Sequence, residues 1–421
     1  MVQSRRVKQM AARTRPLRIC MMTTFYPPHH FGGDGIMVYR LSHALANAGH
    51  QVEVIHCLDS FDCLSPGGPV SGYPEHPGVR VHGLRTGWRG LSPFLTQQLG
   101  RPVLKQKAIE EILDAGQFDV IHYHNISLLG GPNVLGLGSA IKLYSIHEYW
   151  LVCPTHTLFR DDERVCQAPA CFRCQLVYRR PPQLWRHGSM IQRNLGHVDR
   201  FIAPLEGLRG VFSRRGLDVP MSVLPWFTPQ TSTQSPRKER LNDGRPYALF
   251  VGRLEKLKGL QDVLPLFEAG FPLELVVAGE GMYEAELRAR VPEGGQVRFL
   301  GRCDADELAG WYEDAVALLV PSLCLEIFAL VIAEAFERGT PVLMRKQPEL
   351  RSLVEESGAG MMYGSIADLE AQLRRLLDDP DHRVELGLRA RSYYESTLCE
   401  ERHLAHYLAL IEAVEKDRRG G

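Results

Sequence analysis

Residues 316–344 restrict the possible folds more than any other stretch. Val316-Ala-Leu-Leu-Val320 is a short apolar run, and Pro321-Ser322 stops it. Such a run fits a strand buried on both faces. Good helix formers return from Ala329 to Arg338, Gly339 follows as a residue suited to a helix C-terminus, and Pro341-Val342-Leu343 starts another apolar run. Strand, helix and strand in this order predict a βαβ unit with parallel strands. In open sheets of this kind ligands gather where the strand ends and the helix begins.

Two carboxylates occupy that junction. Glu326 precedes the helix and Glu334 lies along it. If helical geometry held between them, they would stand ~12 Å apart along the axis and within ~80° around it. The N–H groups at the start of a helix lack partners inside it and can hold an anion. An anion flanked by two hydroxyl-rich ends describes a sugar nucleotide. The plainer alternative is an ordinary α/β unit with Glu326 in solvent and Glu334 in a salt bridge.

The chain has 421 residues, enough for two domains, with 49 Lys plus Arg against 49 Asp plus Glu. A net charge of zero argues against a general nucleic-acid binder. No apolar run reaches the length of a membrane span. The basic start, Met1-Val-Gln-Ser-Arg5-Arg6-Val-Lys8, has no signal-peptide core behind it, so residues 1–16 are expected to be a flexible basic segment. Cytoplasm is the expected compartment, with peripheral contact at the inner membrane face as an option. Ten cysteines are too sparse for a disulfide scaffold.

Leu17 to Thr24 predicts a first strand. A loop, Phe25 to Gly35, contains Gly32-Gly33-Asp34-Gly35, and a helix is expected over Ile36 to Ala48. Glycines here let backbone approach a phosphate, although tight turns explain most such glycines. They do not make a dinucleotide fingerprint, which argues against a dehydrogenase. His122 and His124 share one face of a strand ending at His124. Without a third ligand, hydrogen bonding in the core or cleft suits them better than metal. Ile141 to Ile146 is another strand, and His147 sits at its carboxyl end, where such sheets bind ligands. Cys153, Cys166, Cys171 and Cys174 lie in an insertion, residues 150–180, that has little core of its own. Cys171-Phe-Arg-Cys174 has the spacing of a thiolate pair, so a structural zinc is expected, with disulfides as the alternative in an oxidising compartment. Arg179-Arg180 and Trp185-Arg186 could touch lipid head groups or an acidic acceptor; an ordinary solvated helix is the other reading. A polar, proline-containing segment, 228–246, reads as the linker between domains 17–227 and 247–396. Arg253 and Lys258 then follow a strand, where two cations could meet a diphosphate. The amphipathic end, 397–421, completes the chain.

Glu326-x-Phe328-Ala329-x-x-x-x-Glu334-Ala335 with Gly339-x-Pro341-Val342 resembles the Glu-x7-Glu signature of retaining GT-B glycosyltransferases, specifically glycosyltransferase family 4. Gly252-Arg253-Leu254-x-x-x-Lys258-Gly259 is similar to that family's second signature, and Tyr26-Pro27-Pro28 with Gly32-Gly33 to its opening. The resemblance is strongest in the second domain and weakest at the cysteine insertion. It implies two doubly wound, Rossmann-like parallel-sheet α/β domains facing across a cleft, with the terminal helix crossing back onto the first. It implies a retaining transferase that moves a sugar from a nucleoside diphosphate sugar to a saccharide or lipid-linked acceptor, in polysaccharide, glycolipid or glycoconjugate biosynthesis. By the same resemblance Glu326 holds donor-sugar hydroxyls, the amides of Ala329, Leu330 and Val331 hold the distal phosphate, and Glu334 binds the ribose. Arg253 and Lys258 neutralise the diphosphate, Gly32 and Gly33 face the donor phosphates, Gly301 and Arg302 meet the base, and His147 lies near the donor sugar. The expected catalytic set is His147, Glu326, Arg253 and Lys258. No Asp-x-Asp stands at a donor position, so catalysis is expected to need no metal. The family usually has Gly at Ala329. An epimerase or hydrolase of similar architecture, or a non-catalytic sugar-nucleotide module, are the competing readings.

Overall fold

The computed structural model describes residues 15–65, 68–230, 242–268 and 270–420. Most of the basic start and the middle of the linker lie outside them. The first sheet has seven strands: β1 Arg18–Met22, β2 Gln51–Cys57, β3 Val79–Leu84, β4 Val120–Tyr123, β5 Ile141–Ser145, β6 Arg200–Ala203 and β7 Met221–Val223. Their order across the sheet is β3-β2-β1-β4-β5-β6-β7. The second sheet has six: β8 Tyr247–Val251, β9 Glu274–Ala278, β10 Val297–Gly301, β11 Ala317–Val320, β12 Val342–Arg345 and β13 Gly360–Tyr363, in the order β10-β9-β8-β11-β12-β13. Neighbouring strands in both sheets run parallel. Central strands such as β4, β5 and β11 are buried throughout, and β11, Ala-Leu-Leu-Val, reads as an unbroken apolar run rather than an alternating one.

In each sheet the chain works outward to one edge and then returns to the middle. The return makes a crevice at the carboxyl ends of β1 and β4 in the first sheet, and of β8 and β11 in the second. The first crevice is bordered by the glycine loop and by His124. The second is bordered by the Arg253–Lys258 loop and by the loop carrying Glu326. Topology thus puts the glycine loop, the Arg253–Lys258 loop and the Glu326 loop at switch points, while Gly301 and Arg302 end the edge strand β10.

Two boundaries differ from expectation. The helix after β1, α1, spans Gly33–Asn47, so the glycine pair opens the helix rather than preceding it. Asp34 in its first turn complements the positive end of the helix, offsetting poor glycine propensity. A helix over Leu91–Leu99, α2, was not apparent in the sequence pattern. In the second domain, α3 covers Leu330–Glu337, and the loop from Pro321 to Ala329 is irregular. Helical spacing between Glu326 and Glu334 therefore does not apply.

The terminal helix, α4, spans Glu400–Gly420 and lies against the first sheet. The Tyr407 hydroxyl meets His122 Nδ1 at 3.0 Å, and Arg418 pairs with Asp199 at 2.6 Å. Exposed ion pairs of this kind add about 0–1 kcal/mol each. Burial of Leu408, Ile411 and Val414 contributes more, at roughly 1.5–3 kcal/mol for each full side chain. No described helix is long and apolar enough to cross a membrane.

Candidate active site

The second-domain crevice is built around a largely buried ion pair, with the side chains of Lys258 and Glu326 23% and 12% exposed. Lys258 Nζ donates to Glu326 Oε1 at 2.8 Å, and the Ser322 hydroxyl donates to the same oxygen at 2.5 Å. Gly259 follows Lys258 with φ +73°, and a Cβ there would clash with the carbonyl oxygen of Pro321. The glycine lets the two loops touch, and that contact sets the lysine against Glu326. Gln347 holds the other side: its amide donates to the carbonyls of Ser322 and Cys324 at 2.8 Å each, while its oxygen accepts from Glu326 N at 3.1 Å. Burial opposes charge on Glu326, but Lys258, Ser322 and Arg253 outweigh it and hold the carboxyl below its usual range. Burial likewise opposes charge on Lys258, and Glu326 overcomes it, raising the ammonium's pKa. Both groups are ionised at neutral pH.

Arg253 is more open. Its side chain is 56 % exposed, and one nitrogen meets Glu255 at 2.6 Å. Its charge reaches both Lys258 and Glu326. Ala329 stands at the N-cap position of α3, with Leu330 and Val331 in the first turn. Glu334 is not in solvent. Arg40 of α1 donates to its Oε1 at 3.2 Å, and Tyr312 donates to Oε2 at 3.1 Å. Burial and the Glu334 charge push the Tyr312 phenol well above its ordinary value, so it remains a donor.

The first domain closes the opposite wall. Gly33 packs so tightly on α3 that a Cβ would lie 3.0 Å from Leu330 Cδ1. Gly32 is the N-cap of α1. Asp34 Oδ2 accepts from Asn125 Nδ2 at 3.1 Å. Gly301 ends β10 with φ +74°, and the charge of the exposed Arg302 next to it reaches His30 and Tyr73 of the first domain. The Asp304-Ala-Asp306 triplet beyond it serves a helix start: Asp304 accepts from Glu307 N in a capping box.

His147 sits just past β5. Its Nε2 meets His124 Nδ1 at 2.8 Å, and its ring lies 4.7 Å from Trp226, which in turn lies 5.6 Å from Phe328 in the Glu326 loop. His147 Nδ1 is buried and makes no hydrogen bond among the described residues. His122 Nε2 meets Ser145 Oγ at 2.8 Å. Burial lowers the pKa of all these rings; for His147 the nearby Asp34 partly offsets it, leaving a value of about 4. The folded state keeps the rings neutral, while the unfolded chain protonates them near 6.5. Stability from neutral His147 is therefore complete above about pH 6.5 and lost as pH falls toward 4, and His122 and His124 act in the same direction. The melting temperature is expected to be flat near neutrality and to fall through that window. A His122→Asn/His124→Asn variant should show a shallower fall; an identical slope would contradict the assignment.

The four cysteines are all free thiols. Burial, then the nearness of Cys153, Cys166 and Cys174, pushes the Cys171 thiol up. The four sulfurs lie near one another, although among the described residues no three His, Cys, Asp or Glu side chains are arranged to hold one metal ion. Cys153 Sγ lies 3.2 Å from the Thr155 hydroxyl, and Cys166 Sγ faces Ala168 O and Arg215. A hairpin pairing Phe159 with Val165 and Tyr178 OH donating to Phe159 O at 2.8 Å hold the insertion.

The structure thus gathers Arg253, Lys258, Glu326 and the start of α3 at one switch point, with Glu334 behind them and His147 on the facing wall. Sequence reasoning missed Gln347, Arg40, Tyr312 and Asp34. Only Asp34, inside the glycine loop, stood in a segment already under suspicion.

Comparison with known proteins bears on the family and the fold. Residues 231–393 match the family model described as glycosyl transferases group 1, and residues 31–227 match glycosyltransferase family 4. The D-inositol 3-phosphate glycosyltransferase of Pseudarthrobacter chlorophenolicus is 28% identical over 377 residues, covering 85% of this chain and 84% of that one. The sucrose-phosphate synthase structure from Thermosynechococcus elongatus superposes with a TM-score of 0.71 at 19% identity, covering 95% of this chain and 99% of its own. HepE of Anabaena, solved in complex with UDP, gives 0.64 at 15% identity, covering 94% and 100%. Two parallel-sheet domains, both family signatures and full-length relatives converge: the chain is a family 4-like glycosyltransferase of GT-B architecture.

Proposed function

We propose that the chain moves a sugar from a nucleoside diphosphate sugar to an acceptor hydroxyl, with retention at the anomeric carbon and no divalent ion at the donor. The observation that carries this is the convergence of Lys258, Arg253 and the open amides of α3 beside Glu326. A diphosphate leaving group develops negative charge as its bond to the sugar breaks. Fixed cations and helix amides stabilise that charge without reorganising. Arg253 has most of its fork free for phosphate oxygens, and Lys258 adds a point charge. Glu334 would bind the ribose, exchanging its Arg40 contact for sugar hydroxyls.

Retention by double displacement needs a free carboxylate at the anomeric carbon. Glu326 is engaged by Lys258 and Ser322, so it suits hydroxyl binding better than attack. In the reading supported here, the acceptor oxygen bonds to the anomeric carbon on the face the diphosphate leaves. The acceptor's proton passes to a departing phosphate oxygen. His147, whose Nδ1 lacks a partner among the described residues, would bind the donor sugar from the first-domain wall. The acceptor is a saccharide or lipid-linked hydroxyl, and the place of work is the cytoplasm and the inner membrane face.

A thermal-shift screen of nucleoside diphosphate sugars should raise the melting temperature with one donor, since binding only the folded form stabilises it. With that donor and an acceptor in chelator, the product should carry the donor's anomeric configuration. Hydrolysis or epimerisation alone, or an inverted product, would overturn the reading. Glu334→Gln should weaken free nucleoside diphosphate about tenfold, the scale of one charge-assisted hydrogen bond. Titration calorimetry showing unchanged affinity would remove the ribose role.

A further inference from the structure

Helix α2 is inside out. Its polar residues Ser92 and Thr96 are buried, and both hydroxyls accept from the ammonium of the buried Lys105, at 2.9 and 3.1 Å. Three of its apolar residues face outward, Leu91, Phe94 and Leu99 being 42%, 49% and 46% exposed, while Pro93 is buried and Leu95 half-buried. Trp88, just before the helix, is 66% exposed. Water gives no reason for this orientation; an apolar medium does.

The patch continues into a second segment. Trp185 Nε1 donates to Gln97 O at 2.9 Å, and Gln97 Nε2 donates to Pro181 O at 3.0 Å. These bonds seat the 181–187 turn beside α2, bringing Leu184, 68% exposed, and Arg179-Arg180 to the same region. Charge is segregated here. Residues 76–109 and 164–198 carry twelve Lys or Arg and no Asp or Glu, in a chain whose net charge is zero. Arg89, Arg101, Arg179 and Arg180 are exposed and pair with no carboxylate among the described residues. One segment follows β3 and the other follows β5, so both spring from the carboxyl edge of the sheet, where His147 lies.

We infer that this face seats on an anionic lipid bilayer, with Trp88, Phe94, Leu99 and Leu184 entering the head-group boundary and the arginines meeting lipid phosphates. Apolar side chains ringed by unpaired cations fit an interface that is apolar below and negative above. A protein partner would present fixed carboxylates to particular arginines; a bilayer accepts the whole ring without register. The inference deepens the proposed function, since it would carry the cleft to lipid-linked acceptors.

Co-sedimentation of the full chain with vesicles, without donor, tests it. Phosphatidylcholine mixed with phosphatidylglycerol should pellet the protein, phosphatidylcholine alone should not, and added salt should release it. Phe94→Ser/Leu99→Ser and Arg179→Glu/Arg180→Glu should each weaken pelleting by about tenfold or more. Both pairs are exposed, so the melting temperature and nucleotide binding should match wild type. No pelleting with anionic vesicles, or equal pelleting of the variants, would overturn the inference. So would a dimer in sedimentation velocity that Phe94→Ser/Leu99→Ser splits, because a second copy would then own the face. Donor binding is measured without lipid and vesicle binding without donor, so failure of one reading is separable from failure of the other.

Discussion

Lys258→Ala is expected to lower turnover by about 10²–10³-fold, the scale of removing one preorganised charge from a developing anion. It should also weaken binding of the free nucleoside diphosphate, because the leaving group is bound before it leaves. A structural cost accompanies the kinetic one. Lys258 is the partner of a nearly buried carboxylate, and removing one member of such a pair costs roughly 3–5 kcal/mol. The two effects can be separated. In Lys258→Ala/Glu326→Gln the uncompensated charge is gone, so much of the stability should return while turnover stays low. Glu326 has a depressed pKa, so its pairing stabilises the wild type above the ordinary carboxylate value of 4.5 and is lost as pH falls through the lower folded value. Lys258→Ala should remove that part of the acid transition. Wild-type kinetics in a folded Lys258→Ala protein would dismiss the diphosphate role.

His147→Ala is expected to separate rate from binding. Its ring sits on the first-domain wall, tied to His124 through Nε2 and to the Glu326 loop through Trp226 and Phe328. Its buried Nδ1 has no hydrogen-bond partner among the described residues, which leaves it for an incoming hydroxyl. Removing it should lower kcat about 100-fold, the lower end of the cost of losing one preorganised hydrogen-bonding group at a reacting centre, with the affinity for free nucleotide unchanged. His124→Asn should fall between wild type and His147→Ala if His124 positions the ring. Unchanged turnover in His147→Ala would return the histidine to a packing role.

Much of this site was legible because it lies in local motifs. The Arg253–Gly259 and Glu326–Glu334 stretches each follow an apolar strand, and parallel sheets place strand ends together. Contacts made across the chain were not legible. Arg40 reaches Glu334 from α1 of the other domain, and nothing in Tyr39-Arg40-Leu41 announces it. Gln347 locks the Glu326 loop from the far end of β12, where a glutamine looks like any polar residue after a strand. α2 escaped notice for a different reason. Helix recognition assumes that the apolar stripe faces inward, and here Ser92 and Thr96 take that place around Lys105. The cysteine spacing was legible as a cluster, and the fold does bring Cys153, Cys166 and Cys174 near Cys171.

The central claim is that Arg253, Lys258 and the start of α3 grip a pyrophosphate with no divalent ion. Calorimetric titration of the wild type with the nucleoside diphosphate chosen by the thermal-shift screen, in chelator, tests it most directly. Binding should persist in chelator, should weaken strongly for the nucleoside lacking phosphates, and should vanish in Arg253→Ala/Lys258→Ala. Binding that disappears in chelator and returns with a divalent ion, or that survives intact in the double variant, would contradict the account.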